Sequence, residues 1–517
     1  MEDKLFKTGI FGIILVFSLY LAGLNLIACN FSFWSLVISA GCAFVICLFF
    51  IFRWLVKPLI GLILIGNAVT FYFMNTYNVM IDSVMMLNVL ETDIGEIKEL
   101  LSLKFWMYVV VWGIIPCLIL WKTEIFRANY GKRYAQGLAV VGGFLIILLL
   151  AAYFRGDLDI KRLKENKTVL YKAMPINYAL ADTAVIKSLY SGKRVEKIDS
   201  VGILNRYWQN DGKKNLFVVI VGETARAANF SLNGYGRGTN DFLQPFADNL
   251  FYFKNTEACG TATSISVPCL FSARGREDFN KREEQYRENV LDIFNHNGYN
   301  VLWRENNSSC KNVCKRVETQ VFCDGLSCLD DKIQEDFPQK FNNIHDAVIV
   351  LHQGGSHGPD YSKRYPEEFE FYKPACHNNI PKDCPPGELV NSYDNSIVYS
   401  SYLLAELFEK LKAVEDKYNI AVFYTSDHGE SLGEDGIYLH SAPYDEAPSY
   451  QKEVPFLIYI PDTTLQSMNY KTECLKAQTE RRISHDYLFH SLLGLAGIKT
   501  REYNKNLDIF SNCHEVK

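Results

Sequence analysis

A membrane anchor of five helices followed by an extracytoplasmic α/β domain with a doubly wound sheet is the fold class that this 517-residue sequence predicts. Three observations carry it. Long apolar runs fill only the first third of the chain, ten of the fourteen cysteines lie beyond that third, and six apolar β-rich runs recur along the remainder. The net charge of −5 names no partner, and none is expected to be a nucleic acid.

The anchor comes first. Apolar runs occupy about residues 9 to 29, 31 to 52, 55 to 74, 105 to 121 and 137 to 154. Each approaches the roughly 17–25 residues that cross a bilayer as a helix. The first run exceeds the roughly 7–15-residue core of a cleaved signal, and a second follows at once, so it is retained. Lys4 and Lys7, then Arg53 and Lys57, then Lys122, Arg127, Lys132 and Arg133 mark the cytoplasmic loops. With an odd number of spans, everything after about residue 155 lies outside the cytoplasm. The chain divides into a transmembrane domain at 1–155 with an amphipathic outer loop at about 75–103, a connector with interfacial helices at 156–213, and the α/β domain at 214–517.

Cysteine usage tests that placement independently. Cys29, Cys42, Cys47 and Cys117 lie in or beside the spans, where they serve as small apolar residues. The other ten fall into four close pairs, 259/269, 310/314, 323/328 and 376/384, with Cys474 and Cys513 left over. An even set of this kind implies disulfides in an oxidising compartment. A zinc ribbon is the alternative, disfavoured by the irregular spacing.

Next come the strands. "NLFVVIVGE" from 215, "LFYFKNTEA" from 250, "YNVLWREN" from 299, "DAVIVLHQGG" from 346, "NIAVFYTSD" from 419 and "VPFLIYIP" from 454 are continuous apolar runs. Such runs suit strands buried on both faces. The clearest intervening helix is 392–417, where Ile397, Leu403, Leu404, Leu407, Phe408 and Leu411 share one face after the capping candidates Ser392 and Asp394. In doubly wound sheets, ligands gather outside the carboxyl ends of the strands. The chemistry-bearing residues lie there: Glu223 after the first strand, Thr263 after the second, His352 and His357 after the fourth, Asp427 and His428 after the fifth.

Asp427 and His428 in "TSDHGE" offer an oxygen and an imidazole nitrogen, donors that suit zinc. Each acidic or imidazole residue alone has an ordinary explanation; Glu223 could simply pair with Arg226. Together, one Glu, one Asp and several His at a single sheet edge point to a metal site. The segment "ACGTATSISVPCLF" from 258 to 271 adds hydroxyls beside a helix expected to start near Ser266 to Pro268. A metal and a helix N-terminus both favour an alkoxide, which makes a hydroxyl here a candidate nucleophile. The pattern by itself leaves Thr261, Thr263 and Ser264 open.

"VVIVGETARAANFSLNGYGR", "ACGTATSISVPCLFS", "NNSSCKNVC", "LHQGGSHGPDYSKRY" and "SDHGESLGEDGIYLHSAP" follow one another in the order found in bacterial phosphoethanolamine transferases. The chain resembles that family over nearly its whole length. The family modifies lipid A or other envelope glycans, includes the colistin-resistance transferases, and belongs to the alkaline-phosphatase and sulfatase superfamily. The resemblance implies Thr263 as nucleophile and Glu223, Thr263, Asp427 and His428 as ligands of one tightly bound zinc ion, joined in some members by a second. It implies that His357 and His440 are catalytic residues around the transferred phosphate, with His352 as companion and Asn307 and Lys311 near the phosphoethanolamine group. It further implies Asn88, Thr92 and Glu96 as substrate-facing residues, a spacing of four that shares one helical face. An amphipathic helix resting on the bilayer is the other reading of that stretch. Ile265 and Ser441 stand where the family leads one to expect Val or Ala and Gly.

The implied protein is a multi-pass enzyme of the bacterial inner membrane, a monomer with its catalytic domain in the periplasm. The implied donor is phosphatidylethanolamine, and the acceptor is lipid A, core glycan or another envelope molecule. The alternatives are a phosphoglycerol transferase or sulfatase-type hydrolase of the same fold, or a non-catalytic zinc-binding envelope sensor.

Overall fold

The computed structural model describes residues 6–91, 97–98, 100–157, 167–181, 194–198, 200–203, 212–323, 326, 328–337 and 345–514. Two compact units result: Met1–Met86 with Leu100–Leu189, and Leu87–Glu99 with Tyr190–Lys517.

Five helices of the first unit, Ile10–Ala28, Phe33–Ile51, Arg53–Tyr77, Leu103–Lys122 and Tyr130–Phe154, are long and apolar enough to cross a membrane. Ile14, Leu21, Ala43, Phe50, Ile60 and Leu64 pack between them. Leu19, Leu62, Leu118 and Ile147 are left exposed on the outside. Such an exposed apolar surface suits lipid and would be a liability in water. Asn25, buried in the first span, is satisfied on both sides by Met174: Asn25 Nδ2 donates to its carbonyl and Asn25 Oδ1 accepts from its amide, each at 2.7 Å. The fifth helix starts at Tyr130, ahead of the apolar run, because the basic stretch before it continues the helix.

The second unit is built on a seven-stranded sheet: β1 Lys214–Gly222, β2 Leu250–Phe253, β3 Asn300–Glu305, β4 Glu318–Val321, β5 Ala347–His352, β6 Tyr418–Ser426 and β7 Phe456–Tyr459, in the spatial order β2-β7-β6-β1-β5-β3-β4. Strands β6, β1, β5, β3 and β4 run parallel, while β7 is antiparallel to both of its neighbours. All six strands expected from the sequence form. The seventh, β4, was not expected; three of its four residues, ETQV, are polar, most of it is exposed, and among the described residues it pairs with β3 alone.

Side chains alternate across the sheet with period two. Phe217, Val219 and Val221 of β1 join one apolar layer with helices α1 Thr263–Leu270, α2 Val290–His296 and α4 Asp486–Ala496. Leu216, Val218 and Ile220 join the other layer with helix α3 Pro386–Lys412. Burying each such side chain is worth about 1.5–3 kcal/mol, which holds the sheet centrally between its helices. Helix α3 begins at Pro386, a residue suited to a first turn, rather than at Ser392 or Asp394. Asp394 lies inside the helix and accepts hydrogen bonds from Tyr235 and Arg237, each within 2.9 Å.

All five bridges expected from cysteine spacing form: Cys259–Cys269, Cys310–Cys314, Cys323–Cys328, Cys376–Cys384 and Cys474–Cys513. Cys29, Cys42, Cys47 and Cys117 remain thiols.

Candidate active site and metal centre

Parallel register builds the centre. Gly222 of β1 is paired with Ser426 of β6, so the next residue on each strand, Glu223 and Asp427, emerges side by side at the carboxyl edge. The amide of Asp427 donates to the Gly222 carbonyl at 2.9 Å, continuing the pairing to the edge itself. His428 follows immediately, and its Nε2 lies 3.3 Å from Glu223 Oε1 and 3.3 Å from Asp427 Oδ2. All three side chains are fully buried.

Helix α1 starts at Thr263, three residues before the earliest expected start, so Thr263 is itself the first helical residue. Thr263 Oγ1 lies 3.1 and 3.3 Å from the two oxygens of Glu223 and 3.3 Å from His428 Nε2. Its neighbours are differently occupied. Thr261 Oγ1 donates to the Ala442 carbonyl at 2.6 Å, Ser266 Oγ donates to the Asp427 carbonyl, and Ser264 is buried with its hydroxyl making no hydrogen bond among the described residues.

Two buried carboxylates in contact repel unless a positive charge lies between them. Burial pushes the Asp427 carboxyl up to about 7, with the Glu223 charge adding to it. Burial also works against the charged form of Glu223, but the His428 bond and the charges of His428, His357 and His440 outweigh it and hold that carboxyl below its ordinary range. The same two carboxylates overcome burial at His428 and raise it to about 10. One oxygen of Asp427, Oδ2, is buried and has no hydrogen-bond partner among the described residues. Ligand atoms of Glu223, Asp427 and His428 lie within 4.8 Å of one another. The donor set, the charge and the orphaned oxygen all fit a divalent cation. Arg226 does not take that role: it pairs with Glu434 at 2.6 Å.

Residues 215–498 match the Sulfatase family, and residues 40–190 match the family described as phosphoethanolamine transferase EptA/EptB. The chain is 38% identical over 482 residues to phosphoethanolamine transferase EptA of Escherichia coli K12, covering 90% of this chain and 87% of that protein. The chain belongs to the phosphoethanolamine transferase family. It is 33% identical to phosphatidylethanolamine transferase Mcr-1 of Escherichia coli, covering 86% of this chain and 84% of that protein. Among solved structures, the integral membrane lipooligosaccharide phosphoethanolamine transferase A of Neisseria meningitidis superposes with a TM-score of 0.90 at 29% identity, covering 99% of this chain and 100% of that one. The transferase is accordingly a multi-pass inner-membrane protein with a sulfatase-like periplasmic domain.

Around the centre of the transferase, a second group of possible metal donors consists of His428, Glu430 and His440. Glu430 is fully buried; its Oε2 lies 2.8 Å from His440 Nδ1 and its Oε1 accepts from the Tyr361 hydroxyl at 2.7 Å. The Nδ1 proton of His440 thus goes to Glu430, leaving Nε2 for other work. Burial lowers His440, partly offset by Glu430. Its ring centroid is 4.3 Å from that of His428 and 5.4 Å from that of His357. His357 donates from Nδ1 to the Gly358 carbonyl at 2.5 Å. Sequence reasoning overlooked Glu430, although it stands in the quoted "SDHGE"; its signal was a carboxylate two residues from a metal-ligand candidate.

His352 is the last residue of β5 and is fully buried, its Nδ1 3.4 Å from Glu305 Oε2, an oxygen that also accepts from Trp303 Nε1 at 2.8 Å. Its Nε2 has no hydrogen-bond partner among the described residues. Asn307 stands behind Glu223, donating to Glu223 Oε2 at 2.8 Å and to the Gln353 carbonyl at 2.7 Å. Lys311, nearly buried, donates to Ser308 Oγ at 3.2 Å. Asp330 accepts from the amides of Gly354 and Gly355 at 2.8 and 3.0 Å, and Ser356 N in the same turn donates to the Glu223 carbonyl at 2.9 Å.

Leu87–Glu99 groups with the second unit, and within it Asn88 Nδ2 donates to Ser441 Oγ at 2.9 Å. Thr92 and Glu96 lie outside the described residues.

Proposed function

We propose that this transferase moves phosphoethanolamine from phosphatidylethanolamine to lipid A, or to another envelope acceptor, through a phosphoethanolamine-threonine intermediate on Thr263 at a zinc site. One observation carries the reading: Thr263 is the hydroxyl in contact with Glu223 and His428, whereas Thr261 and Ser266 are bound to backbone carbonyls. The names of the Neisseria and Mcr-1 relatives support a lipid donor and a lipid-anchored sugar acceptor.

Glu223, Thr263, Asp427 and His428 are the residues to hold zinc. When bound, zinc acts as a Lewis acid that favours the alkoxide and neutralises phosphoryl charge. In the first step Thr263 Oγ bonds to the phosphorus of the donor as the bond to the diacylglycerol oxygen breaks. The Thr263 proton passes to the unprotonated Nε2 of His440, whose Nδ1 proton is held by Glu430, and from there to that leaving oxygen. In the second step an oxygen of the acceptor bonds to phosphorus as the Thr263 Oγ–phosphorus bond breaks, and the acceptor's proton returns through His440 Nε2 to Thr263 Oγ. His357 and Lys311 hold phosphoryl oxygens with His352 as their companion, Asn307 keeps Glu223 in place through the bond to its Oε2, and Asn88, Thr92 and Glu96 receive the headgroup, Glu96 pairing with its ammonium. Residues 1–155 keep the enzyme beside a donor that stays in the bilayer, 156–213 connect, and 214–517 carry the chemistry.

The test is mass spectrometry of intact protein with donor alone. Wild type gains one phosphoethanolamine group, and zinc-loaded Thr263→Ala gains none and transfers none. Persistent transfer by that variant overturns the reading, and a phosphoglycerol adduct instead would reassign the donor.

A further inference from the structure

His485 lies outside every motif of the sequence, yet it joins the two segments that bring Thr263 and Asp427 together. A short strand, Arg482–Ser484, runs parallel to Asn255–Glu257, and the pairing continues as His485 N donates to the Glu257 carbonyl at 3.0 Å. The ring therefore arrives where the chain turns from Glu257 into the loop that carries Thr263. The amide of Cys259 donates to His485 Nδ1 at 3.2 Å, and His485 Nε2 lies 3.0 Å from the Ser426 carbonyl. An amide can only donate and a carbonyl can only accept, so both bonds require one form: the neutral ring with its proton on Nε2. The side chain is fully buried.

Ser426 ends β6 and is followed by Asp427. Cys259 opens the loop that leads to Thr263, and its bridge to Cys269 brackets helix α1. Ser266 adds a third tie, from the first turn of α1 to the Asp427 carbonyl.

We propose that His485 is a positioning residue for the transfer reaction, its neutral imidazole setting the distance between the loop of Thr263 and the strand end that carries Asp427 and His428. The role rests on Thr263 as nucleophile. Burial holds the ring neutral, its pKa lowered to about 3, so the bridge is intact across the physiological range.

Three substitutions separate positioning from simple packing. H485N keeps an acceptor near Nδ1, H485Q keeps a donor near Nε2, and H485A keeps neither. A misplacement of ~1 Å costs ~100-fold in rate, so kcat falls about 10- to 100-fold in H485A with KM for the lipid donor within about twofold of wild type. H485N, which retains the bond to the Thr263 loop, recovers more kcat than H485Q. In metal-free full-length protein, hydrogen exchange at the Cys259 amide accelerates in H485A and H485Q and stays slow in H485N. The proposal is overturned if variants that fold turn over at the wild-type rate per folded molecule, or if the Cys259 amide is equally protected in all of them. Thr263→Ala runs alongside: transfer by that variant sinks the nucleophile assignment itself, whereas an inert Thr263→Ala with wild-type His485 variants removes only the positioning role.

Discussion

His440 Nδ1 stands 2.8 Å from Glu430 Oε2, and the other oxygen of that carboxylate is taken by Tyr361. One buried acid thus fixes the tautomer of a histidine that faces His428 and His357, and it ties that histidine to the rest of the fold.

Removing the carboxylate charge should therefore act on rate more than on affinity. Glu430→Gln keeps the shape but lets the ring rotate and lose basicity. We expect kcat to fall about 100-fold, the scale of a single general acid–base group, with KM little changed. Steady-state transfer from labelled phosphatidylethanolamine checks it; an unchanged kcat would remove His440 from proton transfer.

Metal binding should weaken as pH falls. In metal-free protein Asp427 titrates near 7 and His428 near 10. Between those values a cation displaces one proton, from His428; below about 7 it displaces two. Affinity for zinc should rise about tenfold per pH unit from 7 to 9 and more steeply from 6 to 7. Chelator competition across that range measures both slopes, and a flat profile contradicts the ligand set.

Gly355 has a φ of +53°, and a Cβ built on it would lie 2.6 Å from the Glu223 amide nitrogen. Gly355→Ala is expected to cost about 1–3 kcal/mol of backbone strain. It should also shift Glu223, so zinc affinity falls together with the denaturation midpoint. Denaturant titration and zinc competition on the same protein provide the check.

Cys259 and Cys269 close a short loop around Thr263, and replacing both with Ser should remove about 2–4 kcal/mol of stability. Activity should fall further than the loss of folded protein explains, because the loop end is freed. Comparing kcat per folded molecule with the melting temperature decides it.

How much of this was legible in the sequence follows from the range over which each signal acts. Continuous apolar runs announced β1, β2, β3, β5, β6 and β7, since strands covered on both faces must be apolar throughout. Strand β4 escaped because Glu318–Val321 is mostly polar and exposed, and it is held by backbone pairing at the sheet edge. The start of α1 was misread because Ser and Pro suggested a helix boundary, whereas the helix already begins at Thr263 and includes Pro268. Glu223 and Asp427 were legible because each follows a strand directly, and His428 because it adjoins Asp427. The choice among Thr261, Thr263 and Ser264 was not, since it depends on which hydroxyl a distant carbonyl such as that of Ala442 engages. Glu430 resembled an ordinary loop carboxylate, and His485 acts on partners more than fifty residues away in sequence, beyond any local pattern.

All five disulfides lie in the periplasmic half of the chain, and one of them brackets the helix that begins with Thr263. The stability those bridges add is thus a late acquisition in the life of the polypeptide, gained only after export has exposed it to an oxidant. The amount of well-folded transferase a cell can hold then becomes tied to its capacity to oxidise thiols.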